Sequence, residues 1–337
     1  YSSKMDIIKA ITPVNLNEEN NKFMRCFNIG IKYNPQYEYE RINGTKELKE
    51  RIYGIEFPED SIGEVYKAYK QYVINSIELI ESIGDPDLFT LKSIELFSHP
   101  DDDILKRALA ILKRDRDEKP EENKVYTAED LKVVFEKAID KDNINWKVEI
   151  LNVMSSKAAV DPDEKKIYIN KELRFSENEV RRLFVHEYGT HVLRAENGSK
   201  QPYRIFSSGF PHSIETEEGL AIYNEWRNKL LDENMLRLYA GRVIAAESCI
   251  SNSFYDIYCI LSKYFREEDC IRMVSRVKRG LRDTSCKGGF TKDHVYLSGF
   301  YKVKVNITPE VKNVLYTGVV GVEDVSTILN LKGIRYF

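Results

Sequence analysis

Two histidines inside one helical segment constrain this chain more than any other sequence feature. His186 and His191 are five positions apart in the pattern HExxxH. The segment begins with a capping box, because the Ser176 hydroxyl can accept the backbone N–H of Glu179 while the glutamate side chain reaches back. The sequence therefore predicts that both histidines belong to one continuous helix with a well-defined start.

The spacing of the histidines predicts a distortion of that helix. Residues four apart on a regular α-helix differ by about 40° and share a face, whereas residues five apart differ by roughly 140°. His186 and His191 can then face one ion only if the helix is locally unwound, as in a π-bulge with i→i+5 hydrogen bonds. Gly189 lies between them and should lower the steric cost of the distortion. We therefore expect a π-bulge between the two histidines.

Two imidazoles that face one point suggest a zinc site. A catalytic zinc ion takes three protein ligands and keeps one position open. Glu187 follows the first histidine and is placed to act as the base that activates water, as the glutamate of HExxH peptidases does. The third ligand is expected from the acidic segment that follows, with Glu218 as the first candidate and Glu217 as the alternative. Thr216 is predicted to cap the helix that carries them.

Composition excludes several other classes of function. The formal net charge is −3, so the strongly basic face of a nucleic-acid-binding protein is not expected. No apolar run is long enough to cross a membrane. The five cysteines are widely spaced and form no CxxC pair, which argues against a cysteine zinc site and is typical of a cytoplasmic protein.

The order of predicted elements suggests two regions. Residues 1–120 read as a mainly helical N-terminal region, with a helix capped by Ser61. The charged stretch from Arg114 to Lys124 is interpreted as a linker or a long surface loop. Residues 121–337 form the expected catalytic region, which starts with a second capping box at Thr127 and Asp130.

A small sheet is expected before the histidine helix. Trp146 to Leu151 and Lys165 to Asn170 have strand-like patterns, and the turn signal Asp161-Pro162-Asp163 lies between them. This order favours an antiparallel pair. The predicted fold class is therefore α+β, dominated by helices, with a small antiparallel sheet beside the HExxxH helix.

Several segments resemble a known family. The run from His186 to Arg194, followed by Thr216-Glu217-Glu218-Gly219-Leu220-Ala221, resembles the microtubule-associated tyrosine carboxypeptidase family. Its bacterial members are often labelled flavohaemoglobin expression-modulating "QEGLA motif" proteins. Asn34 to Tyr39 and Gly288 to Gly299 are also similar to family segments. Thr216 departs from the bacterial pattern, which usually has glutamine before Glu-Gly-Leu-Ala.

The resemblance implies a zincin-like metallocarboxypeptidase with one zinc ion per chain. It implies removal of a C-terminal tyrosine or similar aromatic residue from a protein or peptide tail. By match of motif, His186, His191 and Glu218 would be the zinc ligands, and Glu187 the catalytic base. The microtubule-binding role is not carried over, because the chain has no extended basic tail.

The remaining site residues are less specific predictions. Tyr296 and His294 are candidate donors to the oxyanion of the tetrahedral intermediate. A carboxypeptidase also needs a cation for the terminal carboxylate of its substrate, and arginine suits a bidentate contact. The candidates for this substrate-binding role are Lys171, Arg174, Arg279, Arg282 and Lys292.

Two alternative functions share the same metal site. The first is a zinc endopeptidase or aminopeptidase, which would lack the pocket for a terminal carboxylate. The second is a regulatory binding protein in which zinc is structural. Glu187 argues against the second alternative, because a structural zinc site does not need a base beside its first ligand.

Overall fold

The computed structural model describes residues 7–114, 123–152, 154 and 156–337. Helices dominate this part of the chain, with three short strands between the seventh and eighth helices. In chain order the elements are α1 (Ile7–Ala10), α2 (Leu16–Asn28), α3 (Thr45–Tyr53), α4 (Ser61–Glu81), α5 (Pro86–Phe97), α6 (Asp102–Leu112), α7 (Ala128–Lys141), β1 (Lys147–Leu151), β2 (Ala158–Asp161), β3 (Lys166–Asn170), α8 (Glu177–Leu183), a π-helix (Phe184–Val192), α9 (Leu193–Ser199), α10 (Ile205–Ser208), α11 (Ser213–Arg227), α12 (Glu233–Cys249), α13 (Phe254–Leu261), α14 (Glu267–Val277), a 3₁₀ turn (Lys292–His294), α15 (Val295–Asn306), α16 (Pro309–Leu315), a second 3₁₀ turn (Val322–Asp324) and α17 (Val325–Leu329).

The chain divides into two compact units. The sheet unit comprises the described residues of 116–233 and 299–337, and the helical unit comprises the described residues of 3–115 and 234–298. The units therefore do not follow a single boundary at residue 120, since residues 234–298 belong with the N-terminal helices. The predicted linker between Arg114 and Lys124 lies mostly outside the described residues.

The sheet has three strands in the order β1-β3-β2 and is mixed rather than antiparallel. β1 and β3 are parallel, with Ile150 opposite Ile169, and β2 and β3 are antiparallel, with Val160 opposite Ile167. The predicted antiparallel pairing of the first and last strands is therefore wrong.

The turn signal was assigned to the wrong strand pair. The Asp161 side chain accepts the backbone N–H groups of Asp163 and Glu164, both at 3.0 Å, and this tight turn joins β2 to β3. β2 contains only four residues, which is too short for a clear alternating pattern. β2 is therefore not evident from the sequence, and the turn that joins it to β3 was attributed to the pair of β1 and β3.

The core of the sheet unit lies between α7, the sheet and the histidine helix. α7 buries Leu131 and Phe135 in the same cluster as Ile167 of β3. The π-helix contributes Tyr188 and Val192 to this cluster. One face of the π-helix is thus held by apolar packing, which leaves its other faces to carry polar side chains.

Helix starts agree with the predicted capping boxes in two places and differ in one. Thr127 and Asp130 form the reciprocal box at the start of α7, as predicted. At α4 the cap is Asp60, whose side chain accepts the N–H of Gly63 at 2.8 Å, so Ser61 is the first helical residue rather than the cap.

In the described part of the chain, no helix combines the length and apolar character needed to cross a membrane.

Candidate functional site

The histidine helix begins as predicted. The Ser176 hydroxyl accepts the N–H of Glu179 at 3.1 Å, and the Glu179 carboxylate accepts the N–H of Ser176 at 2.9 Å. α8 then continues directly into the π-helix at Phe184–Val192. The predicted π-type distortion is confirmed, and it extends over all six residues from His186 to His191.

Side chains from outside the π-helix and one from within it make hydrogen bonds to the π-helix. The Tyr316 hydroxyl donates to the carbonyl of Gly189 at 3.0 Å, and the Thr190 hydroxyl donates to the carbonyl of Val185 at 3.1 Å. Asn224 of α11 donates to the Thr190 hydroxyl at 2.8 Å. These contacts add to the i→i+5 hydrogen bonds of the π-helix and so stabilise it.

Gly189 contributes less than expected. Its backbone is outside the left-handed region, and a Cβ built on it would meet only the Phe184 carbonyl oxygen, at 3.8 Å. That is an ordinary van der Waals distance. The π-helix therefore does not depend sterically on glycine at this position.

The two imidazoles face the same point. Their ring centroids are 5.0 Å apart with an interplanar angle of 71°. His186, His191 and Glu218 each offer one ligand atom, and these atoms lie within 4.8 Å of one another. The distance from Nε2 of His186 to the Glu218 carboxylate is 3.8 Å. Among the described residues this is the one group of three or more such side chains that could hold a metal ion.

Glu218 lies in the second turn of its helix rather than the first. α11 begins at Ser213, after His212, whose φ of 63° places it in the left-handed region. Thr216 is therefore inside the helix and is not its cap, contrary to the prediction. Its buried hydroxyl accepts the N–H of Val322 at 3.0 Å.

The glycine after Glu218 sets how closely α11 approaches α15. A Cβ on Gly219 would lie 2.1 Å from the carbonyl carbon of Gly299, and a Cβ on Gly299 would lie 2.0 Å from the carbonyl oxygen of Glu215. The two backbones touch, which only glycine allows at both positions. This contact fixes the distance between α11 and α15 at Gly219, the residue next to Glu218.

A carboxylate contacts the outward nitrogen of each imidazole. Nδ1 of His191 lies 2.6 Å from Oε1 of Glu217, and Nδ1 of His186 lies 2.7 Å from Oε1 of Glu225. Glu217, the alternative third ligand, thus contacts the far side of one ring. Glu225 was not among the predicted site residues, although it stands seven residues, about two helical turns, after Glu218.

The local electrostatics favour a positive charge at the site. Burial opposes protonation of His191, but its hydrogen bond to Glu217 and the charges of Glu217, Glu187 and Glu218 outweigh burial and raise its pKa to about 9. Glu187 itself is buried and follows His186 directly. A bound cation would satisfy the same carboxylates that here stabilise a proton.

Two of the predicted substrate-binding cations belong to the sheet unit. Lys171 and Arg174 are both exposed and follow β3. β3 is the central strand of the sheet, whereas β2 is an edge strand and contacts the π-helix. The substrate-binding role of Lys171 and Arg174 stays a prediction.

The other predicted site residues belong to the helical unit. Nε2 of His294 donates to the carbonyl oxygen of Phe97 at 2.8 Å, and its Nδ1 lies 3.2 Å from the Ser298 hydroxyl, so this buried ring has structural partners at both nitrogens. Tyr296 stacks on Tyr239 with ring centroids 5.6 Å apart. Their catalytic role stays a prediction. The three remaining cations are the buried Arg279, the exposed Arg282 and the half-buried Lys292.

Comparison with known proteins identifies the family. A sequence model described as microtubule-associated tyrosine carboxypeptidase matches residues 23–334. The chain belongs to this family. The match includes the histidine helix, α11 and the segment from Gly288 to Gly299, so the resemblance seen in the motifs extends over nearly the whole chain.

Individual members of the microtubule-associated tyrosine carboxypeptidase family match over shorter stretches. Microtubule-associated tyrosine carboxypeptidase 1 of Rattus norvegicus and of Homo sapiens are each 32% identical to this chain over 136 residues. The protein of the same name from Mus musculus is 31% identical over the same length. Each match covers 35% of this chain and 26% of the relative, so the chain spans about a quarter of the length of these curated relatives.

Proposed function

We propose that this chain is a zinc-dependent carboxypeptidase that removes a C-terminal tyrosine or other aromatic residue from a protein or peptide tail. The observation that carries the proposal is the meeting of His186, His191 and Glu218 within 4.8 Å in a chain of this family. The names of the relatives support the carboxypeptidase class and the tyrosine preference. We expect the protein to act in the cytoplasm.

The donor set fits zinc. Two imidazole nitrogens and one carboxylate oxygen are the ligands of one common type of catalytic zinc site, which keeps a fourth position open. The Nε2–carboxylate distance of 3.8 Å between His186 and Glu218 is close to the spacing of two ligands on one small ion. Zinc, when bound, polarises a carbonyl and lowers the pKa of a water molecule toward neutrality.

Glu187 is the proposed general base. It is buried and follows His186 in the sequence, and its negative charge contributes to the raised pKa of His191. In this position it can take the proton from the water that attacks the scissile carbonyl and deliver it to the leaving amine. Burial keeps the carboxylate away from bulk water, which strengthens its interaction with charge that develops in the reaction.

A peptide panel tests the reaction class. We expect a peptide with a free C-terminal tyrosine to lose that residue, an N-acetylated copy to react equally well, and a C-terminally amidated copy to resist cleavage. A chelator should stop the reaction, and zinc should restore it. Glu187→Gln serves as the matched variant, with a rate lowered by about 10²- to 10⁴-fold. Mass spectrometry of the products gives the answer, and equal cleavage of the amidated peptide would contradict the proposal.

A further inference from the structure

The two histidines are held by two parallel chains of charged side chains. One runs from Arg182 through Glu225 to His186, and the other from Arg194 through Glu217 to His191. In each chain the carboxylate comes from α11 and the arginine from the helical run that carries the histidines. We infer that Glu225 and Glu217 are positioning residues that orient the imidazoles and strengthen metal binding, an inference that rests on the proposed function.

The Glu225 chain is deeply buried. Glu225 has no exposed surface, and its Oε1 lies 2.7 Å from Nδ1 of His186 and 3.0 Å from Nη1 of Arg182. Its Oε2 is also buried and has no hydrogen-bond partner among the described residues. A buried carboxylate with one unpaired oxygen costs stability. Stability of the fold therefore does not explain why Glu225 is present. Its direct contact with His186, a proposed metal ligand, points to a role in metal binding.

The Glu217 chain is anchored to the backbone. Oε2 of Glu217 pairs with Nη1 of Arg194, while Oε1 contacts His191. Arg194 is fully buried, and its other N–H groups donate to backbone carbonyls. Those acceptors are Leu315 at 2.8 Å, Gly318 at 3.1 Å and Val320 at 2.6 Å. An arginine fixed at three further points cannot follow a moving carboxylate, so it holds Glu217 in place.

The position of the carboxylates determines which ring nitrogen is available. A neutral imidazole has one N–H donor and one acceptor nitrogen. A carboxylate is only an acceptor, so each Nδ1 must carry the proton. In the neutral form that can bind a metal ion, the lone pair is then on Nε2 in both His186 and His191, and on His186 this is the nitrogen nearest Glu218. Carboxylates in this arrangement fix the tautomer and raise the basicity of a ligating histidine.

Zinc affinity measures this role directly. We expect Glu225→Gln and Glu217→Gln each to weaken zinc binding by about 10- to 100-fold, because glutamine has a similar shape but no charge. Glu215→Gln is the matched control. Glu215 belongs to the same helix, and its carboxylate forms an ion pair with Lys302 rather than with either histidine. The measurement is competition for zinc between the purified full chain and a coloured chelator.

Thermal unfolding of the metal-free proteins separates positioning from a general structural effect. A positioning residue should change zinc affinity while the metal-free variant still unfolds cooperatively near the wild-type temperature. Because Glu225 is so buried, Arg182→Gln is a second probe of the same chain, and it should weaken zinc binding in the same direction.

The outcomes distinguish this inference from the proposed function. If the wild type binds zinc and both glutamine variants bind it within twofold of the wild type, the positioning role is wrong while the proposed function stands. If Glu215→Gln weakens zinc binding as much as the other two, the effect is a property of helix charge, which also overturns the inference. If the wild type binds no zinc at all, the proposed function fails first and the inference with it.

Discussion

Among individual residues, buried charged side chains are the ones where this protein tolerates little change. In the helical unit, Asp293 is almost fully buried, and its carboxylate accepts from Nε and Nη2 of Arg276. Burial by itself raises the pKa of Asp293, but the charge and hydrogen bonds of Arg276, with the charges of Arg242 and Arg279, outweigh burial and hold the pKa well below its ordinary range. The ion pair therefore keeps Asp293 ionised below the pH at which an exposed aspartate takes up a proton.

This pairing predicts a pH dependence of stability. A carboxyl with a folded-state pKa below its unfolded value of about 3.9 stabilises the fold above that pH, and the contribution is lost as the pH falls. Asp293→Asn should lower the free energy of unfolding by about 3 kcal/mol at neutral pH. The difference from wild type should shrink below about pH 4. Urea unfolding from pH 7 to pH 3 measures this.

A surface aspartate provides the control. Asp87 has 83% of its side chain exposed and lies 3.8 Å from Lys287. Asp87→Asn should change the free energy of unfolding by less than about 0.5 kcal/mol at any of these pH values. The opposite result is a free energy of unfolding of Asp293→Asn that differs from that of the wild type by the same amount at pH 7 and pH 3. That result would show that the buried ion pair does not stabilise the fold.

The sequence revealed the central residues of the candidate site but not all of their partners. His186, His191 and Glu218 were found because metal ligands have few residue types and restricted spacings. Glu225 was missed because a carboxylate that supports a ligand has no spacing rule of its own. Its role depends on how α11 packs on the π-helix, which is a tertiary contact. The same limit applies to Arg194, whose backbone carbonyl partners are more than 120 residues away in the chain.

At the scale of elements, the histidine helix was predictable because its rules are local. The capping box and the angle between positions five apart are properties of the helix alone. The role given to Gly189 was not supported, since a Cβ there would meet only the Phe184 carbonyl oxygen at 3.8 Å. Tyr316 and Asn224 hydrogen-bond the π-helix from outside it. The strand pairing was wrong for the opposite reason. β2 lies between β1 and β3 in the chain and forms the antiparallel hairpin with β3, so that β1 and β3 are parallel. β2 is too short for its alternation of apolar and polar residues to reveal it in the sequence.

The glycines provide a test of what positions α11. Gly219→Ala should lower the free energy of unfolding by about 1–3 kcal/mol, because the added Cβ would overlap the Gly299 backbone at 2.1 Å. Gly189→Ala is the contrasting change and should cause no loss, since its Cβ has space and alanine favours helix by up to about 1 kcal/mol. Chemical denaturation compares the two. Equal losses would mean that helix flexibility, not close approach, explains both glycines.

At the scale of the whole molecule, one compact unit contains the complete candidate metal site. Both histidines, Glu218 and the two supporting carboxylates belong to the sheet unit. The family match extends across both units, from residue 23 to residue 334. The sequence indicated the helical composition of each region. It could not show that residues 234–298 pack with the N-terminal helices, because that grouping depends on contacts between distant segments.

We propose that a π-helix brings two histidines five residues apart into contact with one zinc ion. The most direct test is the zinc content of the full chain after dialysis, measured by elemental analysis for the wild type, His191→Ala and Glu218→Ala. We predict one zinc ion per wild-type chain and less than about a tenth of that in each variant, since a catalytic zinc site needs all three protein ligands. Full zinc occupancy in either variant, or none in the wild type, would contradict the claim.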